Sequence, residues 1–220
     1  MQTFRISNLK VVAVKSSAQR ICYVLYPMDS LGEWIEEAAE TYGVSIAVIT
    51  GMDWDDDLTP WRAEGEPPGS PDFKGDAGKF MAMLLNEVLP EVERRLQISA
   101  EPQRTLTGVS LSGLFALWQW MRGDTFRNII SLSGSFWYDG FVDWLKAQPM
   151  PVKEGRIYFL LGNQERKTNV KAFQSVERDT VEIVDYLREH GIKTKFELVA
   201  GNHYQYGLQR LDRAFSWMFA

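Results

Sequence analysis

The chain alternates short runs of β-branched and apolar residues with longer segments of helical periodicity. Eight runs fit β-strands, and the later ones are apolar on both faces, which is typical of a parallel sheet covered by helices on both sides. The runs are residues 4–6, 11–14, 21–26, 44–50, 104–108, 129–132, 157–161 and 194–199. No helix-length segment separates the first two runs, so they predict an antiparallel hairpin ahead of the parallel strands.

Amphipathic helices are predicted between these strands, and the longest are residues 31–42, 80–96, 169–190 and 208–219. A capping box, Ser30 with Glu33, predicts the start of the first, and Pro90 predicts a kink in the second. Thr168 is the expected N-cap of the third. Alternating β and α segments predict a three-layer α/β sandwich around a mostly parallel eight-stranded sheet. Residues 51–78, rich in Gly, Pro and Asp, predict a long loop.

Composition and charge restrict the class of protein. With 220 residues, 45% of them hydrophobic, the chain fits a single globular domain over residues 1–220. The 24 basic and 29 acidic residues give a net charge of -5, and no basic run is present, so a nucleic-acid partner is not expected. The single cysteine, Cys22, lies in an apolar run and is expected to be a buried structural thiol.

Membrane insertion and secretion are also not expected. The longest uncharged stretch, residues 105–121, is too short and too rich in Gly, Ser and Gln to span a bilayer. Arg5 and Lys10 interrupt the apolar residues at the start of the chain, which therefore lacks a secretory pattern. We expect a cytoplasmic protein with no membrane partner, and the sequence carries no indication of its oligomeric state.

Ser110 is the candidate nucleophile. It lies between a predicted strand and a predicted helix, with Gly108 and Ser112 two residues to either side. Small residues at these positions allow the sharp turn of a nucleophile elbow, and the N-terminus of the following helix favours a developing oxyanion. The backbone N–H of Leu111 would be one oxyanion donor. The alternative is an ordinary helix-capping serine.

A serine needs a base, and the chain offers two histidines. His190 ends a helix, where a solvated imidazole interacts well with the helix dipole, whereas His203 follows the last strand, at the edge where open α/β sheets place their sites. His203 is therefore the candidate base. Glu165, four residues after the strand 157–161, is the candidate to orient it, with Asp139 in reserve. The alternative is that Glu165 is a surface carboxylate paired with a neighbouring basic residue.

Two loops supply further candidates at the same edge. Met28 or Asp29, after the third strand, would provide the second oxyanion N–H. The run Asp55-Asp56-Asp57 after the fourth strand lacks the glycine and the distal glutamate of a calcium loop, so we expect turn capping and no metal site.

Four large aromatic residues are candidates to wall a substrate pocket. Trp54 and Trp61 lie on the 51–78 loop, and Trp137 and Tyr138 follow the sixth strand. Aromatic side chains beside a nucleophile form acyl or aryl pockets. The alternative for the two loop tryptophans is that they pin the loop to the core.

The segments starting at Gly108, Ser131, Tyr158 and Phe196 together resemble the esterase D and enterochelin esterase-like branch of the α/β-hydrolase superfamily, over about residues 20–219. The resemblance implies an α/β-hydrolase fold without a large lid, ester hydrolysis through an acyl-enzyme, and no cofactor. It also supports the chain order Ser110, Glu165, His203. Siderophore-cleaving members usually carry an arginine near the position of the acidic run described above, so an anionic catecholate is a minority hypothesis here.

We therefore expect a serine esterase that acts on a small-molecule ester. A thioesterase or acyltransferase on the same triad is an alternative within the class. An alternative from another class is a non-catalytic ligand-binding module of the same fold.

Overall fold

The computed structural model describes residues 1–28, 31–151 and 154–219. Within them the chain forms eight strands, as the hydrophobic pattern predicts, and most strand ends lie within one or two residues of the predicted ones. The strands are β1 (Gln2–Ile6), β2 (Leu9–Val14), β3 (Arg20–Leu25), β4 (Ser45–Thr50), β5 (Gln103–Val109), β6 (Asn128–Leu132), β7 (Arg156–Gly162) and β8 (Lys193–Val199).

The strands form one sheet in the order β1-β2-β4-β3-β5-β6-β7-β8. The β1–β2 and β2–β4 pairs are antiparallel, and every other neighbouring pair is parallel. The predicted N-terminal hairpin is confirmed. Because β3 to β8 run in one direction, the loops that follow them meet at one edge of the sheet.

The helices cover both faces of the sheet. They are α1 (Trp34–Tyr42), α2 (Ala77–Met83), α3 (Leu89–Leu96), α4 (Leu111–Arg122), α5 (Phe141–Ala147), α6 (Val176–Glu189) and α7 (Gly207–Phe219). Apolar side chains of α1 and α7 pack on one face with Cys22 and Val24 of β3, and those of the other helices pack on the opposite face with Tyr23 and Leu25. Alternate residues of one strand thus enter two separate cores, which produces the predicted three layers.

The starts of two predicted helices need correction, and a further helix was not predicted. α1 begins at Trp34 instead of residue 31 and has Glu33 as its N-cap residue, and Ser30 of the predicted capping box lies outside the described residues. α6 begins at Val176 after a short 3-10 turn, because the Thr168 hydroxyl accepts the N–H of Val170 in a local turn and caps no helix. α5 was not predicted, since its seven residues are too few to show a period.

The predicted interruption near Pro90 takes the form of a π-helical turn. Residues Leu84–Val88 separate α2 from α3, and the N–H of Leu89 donates to the carbonyl of Leu84, five residues back. Pro90 then lies in the first turn of α3, a position at which proline is well tolerated.

Candidate active site

Ser110 occupies a sharp turn between β5 and α4. Its backbone dihedrals are φ 57° and ψ -123°. A positive φ is rare for a residue with a Cβ and is maintained only by the surrounding structure. The Ser110 N–H donates to Leu132 O at 3.0 Å, and the Ser110 carbonyl accepts the N–H groups of Gly113 and Ser135 at 3.0 and 3.1 Å. The same carbonyl also accepts the N–H of Leu114 at 3.1 Å, so four backbone hydrogen bonds fix the strained turn.

The residues beside Ser110 are packed too closely for larger side chains. A Cβ at Gly108 would lie 2.0 Å from the carbonyl oxygen of Ser112. Ser112 is fully buried, and its hydroxyl accepts the N–H of Val109 at 2.7 Å and donates to Leu25 O at 2.9 Å. Ser112 thus ties the turn to β3 through a hydroxyl that glycine lacks.

His203 and Glu165 meet at the carboxyl edge of the sheet. His203 lies in the loop after β8 and Glu165 in the loop after β7, and His203 Nδ1 is 2.8 Å from Glu165 Oε2. Glu165 is only 8% exposed. Its other oxygen, Oε1, accepts the Gly162 N–H and the Ser133 hydroxyl, each at 2.7 Å, and Arg210 Nη1 at 3.0 Å.

These contacts decide the charge of the buried carboxyl group. Burial raises the pKa of Glu165, but the hydrogen bonds and charge of His203, with the hydrogen bonds from Ser133 and the Gly162 N–H, outweigh it and bring the pKa below its ordinary value. Glu165 is therefore an ionised carboxylate aimed at the imidazole. Asp139, the reserve candidate, is an exposed residue in another loop.

Ser110 and His203 line the same cavity, but the hydroxyl of Ser110 is paired with another serine. Ser110 Oγ lies 3.2 Å from Ser135 Oγ, which is the hydrogen bond it makes among the described residues. The Ser110 side chain must therefore turn from Ser135 toward His203 before a proton can pass. Unliganded sites often have such loose geometry.

The oxyanion candidates differ in their positions. Leu111 begins α4 directly after Ser110 and lines the cavity, as the elbow predicts. Met28 is 62% exposed and is not part of the cavity lining among the described residues. Asp29 lies outside the described residues. His190 is not among the residues that line the cavity. Its Nδ1 lies 2.8 Å from Tyr186 O at the exposed end of α6.

The cavity has a volume of about 590 Å³, and aromatic side chains form part of its wall beside polar and charged ones. Trp54 and Trp137, two of the four aromatic candidates, line it together with Phe73 and Phe173. The ring centroids of Trp137 and Phe173 are 4.4 Å apart, so these two side chains form one continuous wall. Charged residues of both signs also line the cavity: Asp55, Glu66 and Lys167.

Trp61 and Tyr138 do not line the cavity, contrary to the sequence prediction. The Trp61 indole N–H donates to Asp139 O at 3.0 Å, and its ring stacks on Phe141 of α5. Tyr138 is 2% exposed, and its hydroxyl donates to the Trp61 carbonyl. Both side chains hold the long loop against the start of α5. This matches the alternative given above for Trp61, in which the tryptophan pins the loop to the core.

The acidic run after β4 serves the loop itself. Asp56 accepts the backbone N–H of Lys74 at 2.9 Å and pairs with the Lys74 ammonium, and Asp57 accepts the N–H of Asp53 at 2.9 Å. In residues 1–28, 31–151 and 154–219 there is no group of three or more His, Cys, Asp or Glu side chains placed to hold a metal ion. Nor does that part of the chain contain a helix long and apolar enough to cross a membrane.

Sequence reasoning missed three polar residues around the site: Ser133, Ser135 and Arg210. Ser133 and Ser135 stand in the Ser-Gly-Ser segment after β6, so a pair of serines beside a small residue at the active edge was an available signal. Arg210 had no such signal, because an arginine on an amphipathic helix is normally solvated.

Comparison with known proteins identifies the class. The sequence family described as "Putative esterase" matches residues 24–217. "Uncharacterized protein YbbA" of Bacillus subtilis (strain 168) is 23% identical over 197 residues, which cover 85% of this chain and 79% of that protein.

Two solved structures share the fold. "Siderophore hydrolase EstB from Aspergillus nidulans" superposes with a TM-score of 0.78 at 18% identity, over 99% of this chain and 94% of that one. "Enterobactin and Salmochelin Hydrolase IroE" superposes with a TM-score of 0.64 at 19% identity, over 98% and 90% of the two chains. The chain belongs to the Putative esterase family and has an α/β-hydrolase fold, which confirms the resemblance found in its sequence. Its membership of this family makes it an esterase.

Proposed function

We propose that the protein hydrolyses small-molecule carboxylic esters through a Ser110-His203-Glu165 triad and an acyl-enzyme intermediate. The observation that carries the proposal is the 2.8 Å contact between His203 Nδ1 and Glu165 Oε2 in the cavity that Ser110 also lines. This contact fixes the proton of a neutral imidazole on Nδ1, because a carboxylate only accepts hydrogen bonds. Nε2 is then the free base.

Each group has a defined task in this mechanism. Ser110 Oγ attacks the ester carbonyl as His203 Nε2 takes its proton, and the Leu111 N–H stabilises the tetrahedral oxyanion. The carbon–oxygen bond to the alcohol breaks as the imidazolium returns the proton to the leaving oxygen. Water then repeats the sequence on the acyl-enzyme, which releases the acid and restores Ser110.

The shape and charge of the cavity support a neutral acyl group of small to medium size. The aromatic part of its wall favours apolar or aryl groups, and its volume of about 590 Å³ is in the range of small-molecule sites. The two structural relatives are named for siderophores. Here Asp55 and Glu66 face the same cavity and disfavour a polyanionic catecholate.

The test is a series of p-nitrophenyl esters from acetate to octanoate and benzoate, with Ser110→Ala, His203→Ala and Ser135→Ala variants. We expect Ser110→Ala and His203→Ala to lower kcat by roughly 10³-fold or more. Ser135→Ala, the matched control, removes only the resting partner of Ser110 and should retain activity. Rapid quenching followed by intact-mass measurement should show the acyl mass on the parent protein and none on Ser110→Ala. Full activity of His203→Ala would contradict the proposal.

A further inference from the structure

Arg210 is a buried cation directly behind the candidate site. It lies in the first turns of α7 and is only 4% exposed, and it is the one basic side chain among the described residues that the structure buries. A buried charge is costly unless it is paired and hydrogen-bonded. Its position is therefore informative about what it contacts.

The guanidinium joins the three loops at the active edge. Nη1 donates to Ser133 Oγ at 2.7 Å and to Glu165 Oε1 at 3.0 Å, and Nη2 donates to the carbonyl of Asn202 at 2.8 Å. Ser133 follows β6, Glu165 follows β7, and Asn202 immediately precedes His203. One side chain thus holds both the candidate acid and the loop that carries the candidate base.

Gly162 allows this arrangement because it has no side chain. A Cβ there would lie 2.5 Å from Arg210 Nη2, 2.9 Å from Glu165 Oε1 and 2.4 Å from the carbonyl oxygen of Gly201. The glycine therefore permits the close approach of the guanidinium, the carboxylate and the loop backbone.

The charge of Arg210 changes the proton affinity of the pair that it supports. With Arg210, the group formed by the buried Arg⁺ and Glu⁻ and a neutral, partly exposed imidazole has no net charge, and adding a proton creates a net positive charge. Without Arg210, the same proton would neutralise a net negative charge. Because His203 and Glu165 share a hydrogen bond, this holds whichever of them the proton occupies.

We propose that Arg210 is a positioning residue of the ester-hydrolysing site: it ties the Glu165 loop to the His203 loop, and its charge faces the carboxylate that holds the imidazole. This rests on the proposed function. The other charged or titratable groups near the pair are exposed or partly exposed, and solvent screens them more strongly: Asp55 and Glu66 from the long loop, Lys167 from the loop after β7, and Tyr204 from the His203 loop.

The experiment uses three variants. Arg210→Met removes the charge and all three hydrogen bonds, whereas Arg210→Lys keeps the charge but cannot reach Ser133, Glu165 and Asn202 together. Arg213→Met is the matched control, because Arg213 is one turn further along α7 and pairs with Glu197 at the exposed surface.

The readouts separate charge from position. The chain has only two histidines, so the imidazole NMR signals of His203 can be followed against pH once His190→Gln assigns the other set. We expect Arg210→Met to raise the pH midpoint of the His203 signal and of the acid limb of kcat/KM, because the substitution removes a positive charge and leaves the Glu165 carboxylate in place. Arg210→Lys should lower kcat about 10-fold or more, with KM and the midpoint nearly unchanged. Arg213→Met should change neither kcat nor the pH midpoint.

An unshifted or lowered midpoint in folded Arg210→Met would overturn the electrostatic role, and full kcat in Arg210→Lys would overturn the positioning role. If Arg210→Met does not fold, Arg210→Gln carries the same midpoint test. The NMR titration requires no ester turnover, so failure of the proposed function would appear as an inactive parent protein while the shift caused by Arg210 could still be measured.

Discussion

Replacing Glu165 by glutamine tests the proposed triad through a single atom. Glu165 Oε1 accepts three hydrogen bonds, from Gly162 N at 2.7 Å, Ser133 Oγ at 2.7 Å and Arg210 Nη1 at 3.0 Å. The carbonyl oxygen of glutamine must take this position, since an amide NH₂ group would face three donors there. The NH₂ group then occupies the position of Oε2, 2.8 Å from His203 Nδ1.

The consequence is a change of tautomer. An NH₂ group can only donate, so His203 Nδ1 becomes the acceptor and the ring proton moves to Nε2. Nε2 can then no longer accept the proton of Ser110. A wrong tautomer in a serine triad lowers kcat by roughly 10⁴-fold, which corresponds to about 5.5 kcal/mol of transition-state stabilisation. KM should change little, because Glu165 acts on the base and makes no contact with substrate in this mechanism.

The assay is steady-state hydrolysis of p-nitrophenyl butyrate by the parent protein, Glu165→Gln and Asp139→Asn. Asp139 is the matched control, since it is the reserve candidate for the acid, lies on a loop at this edge and is exposed. Glutamine also leaves Arg210 without its carboxylate, which costs roughly 3 kcal/mol of stability, so urea unfolding must show that the variant is folded under assay conditions. A kcat within tenfold of the parent value would refute the reasoning, and a large loss in Asp139→Asn would reassign the acid.

Three further predictions follow from contacts at the elbow, the cavity wall and the buried carboxylate. Gly108→Ala should destabilise the protein by roughly 3 kcal/mol in denaturant unfolding, because its Cβ would lie 2.0 Å from Ser112 O, whereas Gly78→Ala, in open space on α2, should be neutral or stabilising; equal effects would contradict the close packing. Trp137→Ala should raise KM for a benzoyl ester about 10-fold and leave an acetyl ester unaffected, and an equal rise for both would place Trp137 outside the acyl site. Because the folded-state pKa of Glu165 lies below its ordinary value of 4.5, its charge contributes stability above about pH 4.5 that is lost as the pH falls through the folded value. The stability gap between parent and Glu165→Gln should therefore shrink at pH 3.5, and a gap that widens would contradict the direction of the shift.

The sheet could be predicted from the sequence because its strands are regular and apolar. Alternation and β-branched runs located all eight strands, and the short first connection fixed the hairpin. Helix starts were harder, since a hydroxyl such as that of Thr168 can close a local turn as readily as cap a helix. The seven-residue helix α5 could not be predicted from periodicity, because it spans only two turns.

The candidate site could be predicted as far as the strand ends determine it. Ser110, Glu165 and His203 follow three parallel strands, and such ends meet at one edge whatever the loops do. The direction of a loop side chain is a tertiary property, which is why Trp54 lines the cavity and Trp61, seven residues later, packs on α5. Arg210 was missed for the same reason, because only the fold shows that its helix face points at a buried carboxylate.

Covalent labelling with a fluorophosphonate tests directly whether Ser110 is an activated nucleophile. The reagent reacts with activated serines and requires no knowledge of the substrate. The parent protein, Ser110→Ala, His203→Ala and Ser135→Ala would be treated in parallel, and the adduct located by peptide mass spectrometry. We expect one adduct, on Ser110. It should be absent in Ser110→Ala, form much more slowly in His203→Ala and be retained in Ser135→Ala. An adduct on another serine, or no adduct on the folded parent protein, would contradict it.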